Sequence, residues 1–191
     1  MAILFSLIHY PHENCQPLIK PMLAVAWRHF ILGAVVLCTW NTCYAEPSER
    51  ELQIKAAYLY HFIKFTTWPD TPPVFHYCVY QDAGFANLLR KMYSDKTVGE
   101  ASIDVTNINE QIKPDDCHLI YFSQTVSVDF LQKISQYAIL SVGTDNRFTE
   151  SGGIIYLFEQ DQKLRFYINN AAATDAGLKI SSQLLKLSIE P

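Results

Sequence analysis

The sequence predicts an α/β sandwich built around a mixed sheet. Three features carry that expectation. Helical stripes alternate with short β-rich runs through the middle of the chain. Near the C-terminal end two more strand-like runs are separated only by Gln160-Asp161-Gln162, which reads as a hairpin and makes the sheet mixed. Finally, 49% of the 191 residues are hydrophobic, enough for one core of ordinary size and too many for wholesale disorder.

Each element has its own signal. Ser48 with Glu51 reads as a capping box opening a helix, on which Leu52, Ala56, Leu59 and Ile63 share one face. Tyr58, Phe62 and Phe65 form a second stripe beside it, and Trp68-Pro69 with Pro72-Pro73 stops the helix. Residues 74–80 (VFHYCVY) read as a buried strand, and 85–92 (FANLLRKM) as a helix with Asp82 or Gly84 near its start. Strands are expected over 101–108 and 118–122, a helix over 128–137, and a strand over 138–142 that ends at Gly143. The hairpin strands are 154–158 and 164–168. Asn169-Asn170 caps a helix that runs to Ala176 and is broken by Gly177, and 180–189 (ISSQLLKLSI) reads as a closing helix.

The N-terminal end reads differently. Residues 22–45 place Arg28 and His29 before an apolar run, Phe30 to Leu37, and end in the small-x-small triplet Cys43-Tyr44-Ala45. That is the layout of a secretory signal peptide cleaved between Ala45 and Glu46. The apolar run is too short to span about 30 Å of hydrocarbon, although an uncleaved anchor is the alternative. Leu37 before Cys38 argues against a lipoprotein. Residues 1–21 lack the pattern and read as an over-extended start ahead of Met22. The mature chain is then a single domain, residues 46–191, not membrane-spanning, with 13 basic and 18 acidic residues. Even the whole chain carries −4, which argues against a general nucleic-acid binder.

Of the five cysteines, only Cys78 and Cys117 remain after cleavage. In an exported chain two cysteines are best read as one disulfide, the alternative being two separate buried thiols. No metal or cofactor is expected, because the mature chain lacks CxxC and paired-histidine spacings. Gly152-Gly153 lacks a phosphate-binding pattern and reads as a tight turn or bulge. His76 and His118, which sit close to the two cysteines, read as structural, Asp115-Asp116 as a solvated loop, and Ser181-Ser182 as capping or polar-face residues. No nucleophile–base set assembles, so no catalytic residue is assigned. The aromatic first helix is the main candidate surface. Tyr and Trp are enriched in binding hot spots, and Tyr58, Tyr60, His61, Lys64 and Trp68 form a possible interface.

Two stretches, AAYLYHFIKFTTWP (56–69) and FTESGGIIYLFEQDQKLRFYINNAAATDAGLKISSQLLKL (148–187), resemble the YfiR family of small periplasmic proteins, and the resemblance covers essentially the whole mature chain. It implies a Rossmann-like three-layer fold, a tendency to dimerise, and a regulator rather than an enzyme. Well-known members bind the periplasmic domain of an inner-membrane diguanylate cyclase, YfiN, and hold it inactive, which lowers cyclic-di-GMP and biofilm formation. The resemblance also implies that Cys78 and Cys117 match a structural disulfide. A second cysteine pair of the family has no counterpart between Gly143 and Phe158, so a redox switch built on it does not carry over. The competing expectation is a periplasmic small-ligand-binding accessory of a transport or sensor system, with its crevice at the strand carboxyl ends.

Overall fold

The structure is a computed structural model, and it describes residues 48–189 except 112, 114 and 115. The expected signal segment 22–45, the expected cleavage between Ala45 and Glu46, the expected over-extended start at residues 1–21, and Asp115 lie outside the described residues. The described residues belong to one compact unit, Ala45–Pro191.

Helix α1 (Glu49–Lys64) begins at Ser48, whose hydroxyl accepts from the Glu51 N–H at 3.2 Å. Only one arm of the expected capping box is seen. The Glu51 carboxylate instead pairs with Lys55 Nζ at 2.6 Å, an i,i+4 contact along the helix. After α1 come the two-residue strand β1 (Thr66–Thr67), strand β2 (Val74–Tyr80), helix α2 (Ala83–Tyr93), strand β3 (Thr97–Val98) and strand β4 (Ala101–Ile108). Strand β5 (Leu119–Phe122), helix α3 (Val128–Ile134), strand β6 (Leu140–Gly143) and the hairpin β7 (Ile155–Gln160) and β8 (Lys163–Ile168) follow. The chain closes with helix α4 (Asn170–Asp175), strand β9 (Lys179–Ile180) and helix α5 (Ser182–Leu185).

The expected mixed α/β architecture is present. One seven-stranded sheet runs in the order β3-β4-β2-β5-β6-β7-β8, and β1 with β9 makes a separate two-stranded ribbon. Neighbours from β4 to β7 pair in parallel, while β3 and β8 join their neighbours antiparallel. The hairpin turn is tighter than expected. Asp161 and Gln162, with φ of 52° and 58°, alone join β7 to β8, a left-handed pair that matches the twist of the strands.

Alternation along the central strands separates two cores. Tyr77 and Val79 of β2, with Leu119 and Tyr121 of β5, point into a cluster with Ala56, Leu59 and Phe62 of α1 and Phe85 and Leu89 of α2. Cys78 and Tyr80, with Ile120 and Phe122, point the other way onto Phe130, Leu131 and Ile134 of α3. Fully buried Leu59 contributes on the order of 1.5–3 kcal/mol by leaving water. On the α3 side the disulfide joins Cys78 of β2 to Cys117, just ahead of β5, with their Cα atoms 5.9 Å apart.

Three expectations are corrected. The closing helix 180–189 is only Ser182–Leu185, because Lys179-Ile180 pairs with β1 and Ser181 caps the short helix from Leu184 N–H. Helix α3 stops at Ile134 rather than 137, with Ser135 as its C-cap. The strand expected over 138–142 begins later, at Leu140. The Gly152-Gly153 turn also has a packing role. A Cβ at Gly153, or at Gly143 across from it, would overlap the Phe148 ring, so the ring lies where only bare backbone fits.

Candidate functional site

Helix α1 sends its aromatic residues to two flanks. On one flank, half-buried Tyr58 donates its hydroxyl to the Leu164 carbonyl of β8 at 3.1 Å and sets its ring edge-on to Phe62 and Phe166, each 5.9 Å away. Phe62 is buried and meets Phe166 edge-on at 5.1 Å. On the other flank, Tyr60 donates to the Thr97 carbonyl at 2.8 Å, with Lys96 Nζ 5.4 Å from its ring centre. Trp68, past the helix end, is 8% exposed and donates its indole N–H to the Ala138 carbonyl at 2.8 Å. His61 and Lys64 are exposed in the last turn, and the His61 ring lies over Phe65. The five candidate interface residues therefore do not share one patch. Tyr58 and His61 come together, Lys64 follows one turn on, Tyr60 faces α2 and β3, and Trp68 packs inside.

Tyr58, His61 and Phe65 form one wall of an open cleft of about 420 Å³. Leu164 and Phe166 of β8 form its floor, and Leu184 and Leu187 the opposite wall. Leu187 is 68% exposed, an unusual position for a leucine. Sequence reasoning missed the far wall. The hint was the apolar spacing of Leu184 and Leu187, which a closing helix absorbed.

The cleft lies beside β8, the sheet's edge strand, and that edge is largely occupied. The Leu164 carbonyl accepts from Tyr58, the Phe166 carbonyl from Ile189 N–H at 3.0 Å, and the Ile168 N–H donates to Ser188 Oγ at 2.9 Å.

The histidines near the disulfide make a different arrangement. The His76 N–H donates to His118 Nδ1 at 3.1 Å, the His118 N–H returns to the His76 carbonyl at 2.9 Å, and the rings stack 5.6 Å apart. His76 Nδ1 lies 3.4 Å from Asp104 Oδ2. Burial holds the His118 pKa below the usual histidine value, and the neighbouring His76 lowers it further. His118 also lines a smaller cavity of about 260 Å³ under Trp68 and Tyr137. Among the described residues no group of three His, Cys, Asp or Glu side chains is placed to hold a metal ion. Asp116 lies in a turn, its N–H bonded to the Lys113 carbonyl. Among the described residues no helix is long and apolar enough to cross a membrane.

The described residues thus form a disulfide-linked α/β domain with an apolar surface cleft. The chain belongs to the YfiR/HmsC-like family, whose model matches residues 52–189, from the first turn of α1 through α5. No curated protein matches the chain.

Proposed function

We propose that the protein is exported to the periplasm, with cleavage between Ala45 and Glu46, and there represses an inner-membrane diguanylate cyclase of the YfiN type by direct contact. The observation that carries this reading is the exposed apolar cleft on a YfiR/HmsC-like chain. Tyr58 and His61 supply its α1 wall, and Lys64 extends that contact surface. The Cys78–Cys117 bridge suits an oxidising compartment. A homodimer is part of the proposal. The fold is read as a Rossmann-like three-layer sandwich. The five parallel strands, counted among themselves, run 2-1-3-4-5, a doubly wound order, and helices back both faces.

Repression follows from unequal affinity. A regulator that grips the inactive form of the cyclase more tightly than the active form shifts the population toward the inactive one. Moving that balance from 1:99 to 99:1 requires a preference of about 10⁴-fold. Deleting the gene should raise cyclic-di-GMP, and restoring it should lower the level again. Unchanged cyclic-di-GMP in the deletion strain rejects the reading.

A second reading rests on a crevice at the carboxyl ends of β5 and β6. Thr125, Asp145, Arg147 and Glu150 line a space of about 340 Å³ there, in the region where open α/β sheets hold ligands. Thermal-shift screening with small metabolites tests it, since a ligand at about 100 times its Kd adds about 2.7 kcal/mol of stability. Flat melting temperatures across the screen reject it.

A further inference from the structure

We propose that the cleft between α1, β8 and the C-terminal turn takes an amphipathic helix with an acidic margin, supplied by the protein partner, and not an added β-strand. This rests on the reading above that the cleft is a docking surface.

Main-chain accounting excludes the strand. The two-residue hairpin pairs Gln160 with Lys163, Phe158 with Arg165 and Tyr156 with Tyr167. Those residues of β8 spend their main-chain groups on β7, so Leu164, Phe166 and Ile168 turn theirs outward. An incoming strand needs those groups in sequence. Tyr58, Ile189 and Ser188 already hold one from each residue. The opposite edge is guarded as well. Strand β3 is two residues long, and Arg90 Nε donates to the Val105 carbonyl of β4 at 2.8 Å.

Side chains at the cleft suit a helix. Tyr58, His61 and Phe65 recur at helical spacing along α1, while Ile54, 42% exposed and one turn earlier, lines a separate hollow. Within the cleft the line from Tyr58 to Phe65 covers about two turns, the span of the i, i+3, i+4, i+7 stripe of a second helix against Leu184 and Leu187. Glu51 and Glu159 line the adjoining hollow at Ile54, so the charge is one-sided only in the cleft itself. Arg165 is the charged residue that lines the cleft, Lys186 stands between Leu184 and Leu187 in sequence, and no carboxylate is among the cleft's lining residues. Glutamates flanking a leucine stripe complement that rim.

The test uses the purified exported protein and two synthetic helical peptides of about 18 residues. Both carry leucines at the stripe positions. One has glutamates on the flanks, the other lysines. In fluorescence anisotropy the glutamate peptide is expected to bind about tenfold tighter, with the gap shrinking as salt rises. Leu187→Ser is expected to weaken its binding by about fivefold or more while leaving the melting temperature in place, and Arg165→Glu to reverse the preference between the peptides. Equal binding of the two peptides, binding indifferent to Leu187→Ser, or amide protection appearing along β4 overturns the proposal. So does a doubled mass in solution that Leu187→Ser restores to the monomer, since a second copy then fills the cleft. These readouts are independent of the cyclase. Failure here with raised cyclic-di-GMP in the deletion strain rejects the helix alone, and the converse pair of results rejects the regulatory role alone.

Discussion

The His76 main-chain N–H points at Nδ1 of His118, 3.1 Å away, so a donor fixes that ring nitrogen as an acceptor. His118 is thereby held neutral, with its proton on Nε2. Protonation would set N–H against N–H at the amino ends of β2 and β5, one residue from the bridge cysteine Cys117. Around the ring stand His76 on β2, Asp104 on β4 beyond His76, and Asp70 and Tyr137 lining the shared cavity.

Stability should therefore fall on the acid side. The folded pKa of His118 is lowered, so below the unfolded value of about 6.5 the unfolded chain binds more protons and gains on the native state. Above that pH the contribution is complete and flat. Melting temperatures from about pH 7.5 down to about 5 should decline for the native sequence. His118→Asn, which keeps an acceptor near Nδ1 but does not titrate, should flatten this slope, and an unchanged slope would assign it to other groups.

Trp68 and Leu187 should behave as opposites. Trp68→Ala removes a buried ring and its bond to Ala138, and should cost about 3–5 kcal/mol in urea unfolding. Leu187→Ser changes an exposed side chain and should stay within about 0.5 kcal/mol. A large loss for Leu187→Ser would make it a structural residue.

The bridge should account for a large share of the domain's stability. Cys78 and Cys117 are 39 residues apart, and opening the bridge with a Cys78→Ser/Cys117→Ser pair should lower unfolding free energy by about 2–5 kcal/mol. Denaturant midpoints that coincide with and without the bridge would contradict this.

Phe148 tests the glycine pair around it. Gly153→Ala should cost about 1–3 kcal/mol, because the new methyl group meets the ring, and pairing it with Phe148→Leu should recover part of the loss. Strict additivity of the two changes in calorimetry would deny the contact.

Strands β2 and β4 were legible to the residue, because β-branched and aromatic runs there are bounded by turn residues. The capping of α1 was legible in Ser48, and the hairpin in the polar triplet at 160–162. The C-terminal segment was not. Its helical spacing is real, yet Lys179-Ile180 finds strand partners in Thr66-Thr67, and Ser188 and Ile189 leave helical form to bond β8. Local pattern loses there to contacts with residues far along the chain. The strands β1, β3 and β9 are each two residues long, too short to show periodicity. The cleft was hidden for the same reason. Tyr58, Leu164 and Leu187 are remote in sequence, and only the folded chain brings them together.

The ribbon of β1 and β9 sets an order of events. Thr66 and Thr67 have no pairing partner until Ile180 and Lys179 exist beside them, and the apolar flank of α1 has no seat until Phe166 is in place. If the chain is exported head-first as proposed, its β1–β9 ribbon forms only after the tail has followed.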